Sequence, residues 1–181
     1  MATQTFGDKK ITIKTLAKPD FKKVKKFQDY INDLVAEDAK LLNDKKSTLK
    51  DEMAFLERMF KGVKSKTMVY LFAECDDKIV AGASVKLNPM RKNHIGEFGI
   101  AISDGYRGNG LGKYLMAEII KLAKTNLKPI PKMIQLMVYT NNKPAIALYK
   151  KMGFKIVAKL PKQMQWKGKL VDEFTMIKYL K

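Results

Sequence analysis

Cysteine occurs once in this chain, at Cys75, and histidine once, at His94. A lone cysteine excludes an intrachain disulfide. A lone histidine with no cysteine or second histidine at ligand spacing offers no metal cluster, and no metal is expected. No stretch approaches the roughly 18 apolar residues that a membrane-spanning helix needs. Met1 to Lys10 holds no secretory apolar region. There is no internal repeat and no Gly/Ser-rich linker. These absences lead to the expectation of a single domain over residues 1–181, soluble and cytoplasmic.

Acidic residues are also scarce, and unevenly so. Residues 1–77 carry 16 Lys/Arg against 13 Asp/Glu, whereas residues 78–181 carry 20 against 5, within a formal net charge of +18. The second part is therefore strongly basic. Such a surface serves solubility, attracts an anionic cofactor, or touches nucleic acid or ribosomes through phosphate.

Hydrophobic spacing sketches the elements. Lys10 to Leu16 alternates as a strand. Pro19-Asp20 starts a helix with Phe21, Val24, Phe27, Ile31, Leu34 and Val35 on one face. Ser47-Thr48 caps a second helix with an apolar stripe of Leu49, Met53, Leu56, Met59 and Phe60. Strands follow at Met68 to Cys75, Ile79 to Leu87 and His94 to Ile102. A helix with Leu111, Leu115, Ile119 and Leu122 inward comes next. Met133 to Thr140 is an apolar strand suited to a sheet covered on both faces. Pro144 to Met152 forms a short helix ended by Gly153. Phe154 to Leu160 and Phe174 to Leu180 close the pattern. The class is α/β (α+β).

Between the strand Ile100-Ala101-Ile102 and its following helix lies Ser103-Asp104-Gly105-Tyr106-Arg107-Gly108-Asn109-Gly110-Leu111-Gly112-Lys113. The glycines let the backbone turn and present bare N–H groups. The helix N-terminus adds unpaired donors and the positive end of its dipole. This is a cradle for a pyrophosphate. A nucleoside-triphosphatase loop needs four residues between Gly and Gly-Lys, then Ser or Thr. Here three residues separate Gly108 from Gly112-Lys113, and Tyr114 follows. A dinucleotide fingerprint needs an acid about 20 residues on, and the next strand has none.

Arg107-x-x-Gly110-x-Gly112 instead resembles the [Gln/Arg]-x-x-Gly-x-[Gly/Ala] signature of the GNAT superfamily of N-acetyltransferases. The block Asn142-x-x-Ala145-x-x-Leu148-Tyr149-x-x-x-Gly153-Phe154 resembles that family's second motif, in the right order. The resemblance covers roughly residues 67–160. It implies a mixed, mostly antiparallel central sheet of about seven strands, flanked by about four helices and splayed between its fourth and fifth strands. It implies acetyl-CoA as cofactor, with CoA as product.

The same resemblance distributes roles. The strand end Ile100, Ala101 and Ile102 orients the thioester. Gly108, Asn109, Gly110, Leu111, Gly112 and Lys113 hold the pyrophosphate, and Arg107 adds charge against phosphate. Asn142 caps its helix and bonds the cofactor. Tyr149 is the general acid, since a phenol is protonated at neutral pH. The alternative for Tyr149 is a packing aromatic. Relatives that carry a glutamate before the Asn block have Met137 in its place here. Glu97 is then the candidate base. It lies in Gly96-Glu97-Phe98-Gly99-Ile100-Ala101-Ile102, similar to the Glu-bearing strand of Pat-type protein-lysine acetyltransferases. In an apolar strand its pKa would rise to a useful value. The alternatives are a solvent-facing Glu97 and base catalysis through water.

The acceptor is a primary amine, on this resemblance a protein N-terminus or lysine first, a small amine or polyamine second. A non-catalytic basic module is the third reading. Acceptor specificity is expected in residues 20–66 and a loop around Gln163 to Lys169. The acid pairs Glu37-Asp38 and Asp51-Glu52 either attract a cationic amine or are solvated helix faces. No membrane partner is expected, and the chain is a monomer or homodimer.

Overall fold

The computed structural model describes residues 2–180. Eight strands form one sheet: β1 (Ala2–Phe6), β2 (Lys9–Thr15), β3 (Met68–Cys75), β4 (Lys78–Leu87), β5 (Ile95–Ile102), β6 (Met133–Tyr139), β7 (Lys155–Trp166) and β8 (Lys169–Tyr179). Four α-helices flank it: α1 (Val24–Ala36), α2 (Leu49–Lys64), α3 (Leu111–Asn126) and α4 (Lys143–Lys151). The mixed, mostly antiparallel architecture is the expected one.

Local chemistry explains the helix boundaries. Thr48 caps α2: its Oγ1 accepts from Asp51 N at 3.2 Å, and Asp51 Oδ2 accepts in return from Thr48 N at 3.0 Å. Asn142 caps α4 by accepting from Ala145 N at 3.4 Å. The first helix does not begin as α at Pro19-Asp20. Lys18–Lys23 is a 3₁₀ turn, and α1 starts at Val24.

The sheet order is β1-β2-β3-β4-β5-β6-β8-β7. Every neighbouring pair is antiparallel except β5 with β6. That parallel contact covers only Ile95, Gly96 and Glu97 against Met133, Ile134 and Gln135. Beyond Glu97, β5 stays paired with β4 as far as Ile102, while β6 stays paired with β8 as far as Tyr139. The two halves of the sheet part here and open a cleft.

Two cores hold the layers. One packs α3 and α4 on the sheet through Leu111, Leu115, Ile119, Ile134, Leu136 and Met176. The other packs α1 and α2 through Phe27, Leu34, Leu56, Met59 and Phe72. Each fully buried large side chain contributes about 1.5–3 kcal/mol of transfer free energy. The segment between α1 and α2 crosses toward the far half of the sheet. Tyr139 Oη donates to Leu41 O at 2.9 Å, and Trp166 Nε1 donates to Asp38 O at 3.0 Å.

Two expectations change. The strand count is eight against about seven, because Ala2–Phe6 pairs with β2 although its residues before Phe6 are exposed and, Ala2 apart, polar. The region around Gln163 to Lys169 is not a loop but the end of a long hairpin, turning only at Lys167-Gly168, both with positive φ. No helix among the described residues is long and apolar enough to cross a membrane. No group of three His, Cys, Asp or Glu among them is placed to hold a metal ion.

Candidate active site

The cleft between β5 and β6 is a groove of about 620 Å³. Glu97 to Ala101 of β5 line one wall, Met137 to Tyr139 of β6 the other, with Asn142 and Tyr149 of α4 beside them. Past Glu97 the β5 edge has no strand partner on the groove side. Ala101 O accepts from Tyr30 Oη at 2.9 Å, which ties α1 to β5.

The glycine turn follows directly. Gly108 and Gly110 have φ of +78° and +95°, in the left-handed region that other residues avoid. A Cβ on either would meet no atom within 4 Å, so the backbone angle rather than space calls for glycine. Gly112 differs: a Cβ there would stand 3.2 Å from both Ile102 Cδ1 and Leu148 Cδ2, so glycine lets α3 close on β5 and α4. Asn109 Oδ1 accepts from Leu111 N at 3.2 Å. Among the described residues no acceptor meets the N–H groups of Gly108, Gly110, Gly112 or Lys113. Unpaired donors at a helix N-terminus, over open space, suit a phosphate group.

Arg107 is placed differently from the expectation that it faces phosphate. Its Nε donates to Ile102 O at 2.7 Å, and its Nη2 pairs with Glu37 at the end of α1. Glu37 Oε2 also accepts from Asp104 N at 3.3 Å. The guanidinium therefore straps the glycine turn to α1. Glu37 is not a free amine-attracting acid, and its neighbour Asp38 lies 3.5 Å from Lys167 Nζ.

Tyr149 is buried, at 7% exposure, with its ring edge-on to Phe98 and tilted against Phe154. Burial pushes its phenol up to about 12. It both packs and lines the groove, so the two readings of the residue are not exclusive. Glu97 also lines the groove, but its side is exposed, so the desolvation expected of an apolar strand is missing. The sequence reading missed Glu173 of β8. It pairs in register with Tyr139, lines the same groove and is half-buried, and that burial raises its pKa. The signal was the carboxylate's place in Val171-Asp172-Glu173-Phe174, two residues from Val171 and so on the same strand face. His94 lies just before β5, outside the groove-lining set, where its carbonyl accepts from Lys132 N at 2.8 Å. Cys75 is buried, and burial pushes its thiol up, against a nucleophilic role.

A second chamber of about 730 Å³ adjoins the groove beside α2, sharing Tyr30, Ile31, Leu42, Asn43, Phe55 and Tyr70 with it. Glu52 lines this chamber at 5% exposure, the one charged residue of the described core. It is not a solvated helix face.

A family model described as the acetyltransferase (GNAT) family matches residues 30–154. The chain belongs to the GNAT family. The L-amino acid N-acetyltransferase AaaT of Escherichia coli (strain K12) is 33% identical over 107 residues, which are 59% of this chain and 65% of that protein. The match thus spans just under two thirds of that relative's length. A GNAT-family acetyltransferase from Streptococcus pneumoniae superposes with a TM-score of 0.80 at 27% identity, over 94% of this chain and 99% of that one. The acetyltransferase yncA of Salmonella typhimurium, solved with its cofactor acetyl-CoA, superposes at 0.77 with 19% identity over 94% of each chain, which shows a shared fold.

Proposed function

We propose that this protein is an acetyl-CoA-dependent N-acetyltransferase acting on a primary amine by direct transfer. The observation that carries it is a groove with a buried phenol in its wall, lined by the strand that runs on into a glycine turn with unpaired amides. A solved fold neighbour carries acetyl-CoA, and the turn fits that group: its N–H donors are unpaired and its glycines leave open space.

The backbone of Gly108 to Lys113 would hold the pyrophosphate, and the free edge of β5 would hold the pantetheine arm. When bound, acetyl-CoA supplies the thioester whose C–S bond gives way to the new C–N bond. Tyr149 keeps a proton at Oη, held there by its raised pKa, for release to a departing thiolate. Glu97 takes the proton that the attacking amine gives up. Glu173 competes for that role, with burial in its favour. Arg107 and Glu37 fix the turn, and Asn142 fixes the start of α4.

Of the expected acceptors, a protein N-terminus or lysine needs an open approach. The chamber beside α2, ending at a buried carboxylate, favours a small amine. The reading is tested by calorimetric titration with acetyl-CoA, with CoA, ATP and NAD as controls, followed by CoA release with an amine panel. Saturable binding of acetyl-CoA and CoA alone is expected. RNA binding with steep salt dependence, and no acyl-CoA binding by folded protein, would favour the basic-module reading instead.

A further inference from the structure

We propose that the chamber beside α2 is a cation subsite, so that the preferred acceptor is a small diamine whose distal ammonium sits against Glu52. This rests on the acetyltransferase reading for the fate of the other amine, but not for the binding itself.

Glu52 stands on the inward face of α2, one turn before the fully buried Leu56. An apolar residue would satisfy that place. Among the described residues no hydrogen bond or ion pair reaches its carboxylate, and Arg58, which also lines the chamber, lies outside ion-pair distance. None of the described side-chain oxygens is both sealed from solvent and unpartnered, so the carboxylate opens onto the chamber. A buried, unpaired carboxylate is costly unless something neutralises it. A proton does that in acid, and a guest cation does it once the proton has left.

The walls suit an ammonium on an alkyl chain. Phe55 and Tyr70 meet edge to face at 6.1 Å, and Tyr30 completes the aromatic side. Such rings attract a cation by their faces, as Phe55 does here with the Arg58 guanidinium at 5.5 Å, and the methylenes by contact, which leaves the two tyrosines for a guest. The charge is also of the right sign. In a chain of net charge +18, the chamber holds Glu52 and Asp51 against Arg58 alone.

The chamber is joined to the reaction groove. The Tyr30 and Tyr70 hydroxyls both approach Gly82, where a Cβ would stand 3.6 Å and 2.8 Å from them, and Gly82 pairs with Ala101 of β5. The path therefore runs from Glu52, past two hydroxyls, to the edge of β5. Glu52 lines the chamber but not the groove that holds Tyr149 and Glu97. That places it in recognition of a second cation and not in proton transfer at the reacting amine.

The test is calorimetry on the full chain, alone and saturated with CoA, with putrescine and cadaverine against butylamine and pentylamine. Wild type is expected to bind the diamines about tenfold more tightly than monoamines of equal length. Glu52→Gln should erase that preference, with CoA affinity as the control for folding. Phe55→Leu should reduce it and serves if Glu52→Gln folds poorly. A preference that survives Glu52→Gln overturns the proposal. So does equal binding of diamines and monoamines by wild type, or an equal loss for both in Glu52→Gln, which would make Glu52 a contact for the reacting amine. Failure of CoA itself to bind counts against the acetyltransferase reading, while the diamine preference of the free chain still decides the subsite.

Discussion

A phenol donates a proton only while it has one. Burial pushes Tyr149 up to about 12, so it stays protonated across any working pH and contributes no alkaline limb of its own. Tyr149→Phe is expected to lower kcat by about 10²-fold with the acetyl-CoA Kd unchanged; undiminished kcat would leave Tyr149 a packing residue. For the base, pH–rate profiles of Glu97→Gln and Glu173→Gln separate the two carboxylates. Whichever substitution removes the acidic limb marks the proton acceptor, and retention of the limb in both points to water. Glu52 behaves oppositely to an ion-paired acid. Burial holds it at about 7 in the fold against 4.5 in the unfolded chain, so the folded state keeps the extra proton between those values. Stability therefore falls as pH rises through that window and is level above it. Arg58 pulls this pKa down and Asp51 pushes it up, while Tyr30 and Tyr70 face it with phenols that remain neutral. After screening by solvent in the chamber the effect is about 2 kcal/mol. Thermal denaturation of wild type and Glu52→Gln on either side of the window measures it, and parallel profiles would mean the carboxylate is hydrated. Tyr149 was legible because its block has a fixed spacing from Gly153. Glu52 was legible only as half of the acid pair Asp51-Glu52; its burial was not, because the apolar stripe starts at Leu49, which is 48% exposed, whereas the buried face runs through Glu52, Leu56 and Met59.

At the scale of elements, Arg107 is the tie between the glycine turn, β5 and α1. Its guanidinium is engaged by Ile102 O and Glu37, which also accepts from the backbone of Asp104. If it acts by shaping the turn, Arg107→Ala and Glu37→Ala should each weaken acetyl-CoA binding by a similar factor, about threefold to tenfold. The double variant should be little worse than either, as expected for two halves of one contact. If instead Arg107 serves phosphate directly, Glu37→Ala would free it and tighten binding. Titration of the four proteins distinguishes the outcomes. Elements with strong signals were readable: the Thr48 cap, the apolar runs of β3 and β4, and the glycines before α3. The others lacked a signal. Before Phe6, β1 carries only exposed residues, and Pro161 interrupts the pattern of β7 where its register shifts between Leu160 and Met164.

Across the whole molecule, the cleft exists because β5 and β6 share only three residue pairs before separating. No local pattern encodes that separation: it lies in the three-pair parallel register itself, after which β5 continues on β4 and β6 on β8. The family resemblance anticipated it, and hydrophobic spacing did not. The charge asymmetry, by contrast, was fully readable. The glycine turn, α3 and α4 all belong to residues 78–181, where 20 Lys/Arg face 5 Asp/Glu. An anionic cofactor entering this field gains from long-range attraction as well as from contact. Acetyl-CoA affinity should therefore fall steadily as NaCl is raised from about 0.05 to 0.5 M, where screening shortens the reach of surface charge. Dephospho-CoA, with less negative charge, should show a shallower dependence than CoA. Equal slopes would confine the electrostatics to the pyrophosphate at the turn, and flat profiles would reduce the basic surface to a solubilising coat. Since the chamber beside Glu52 is acidic, diamine binding should weaken with salt as well, while monoamine binding changes less. The two site charges, basic for the cofactor and acidic for the acceptor, would then be resolved by the same titration series.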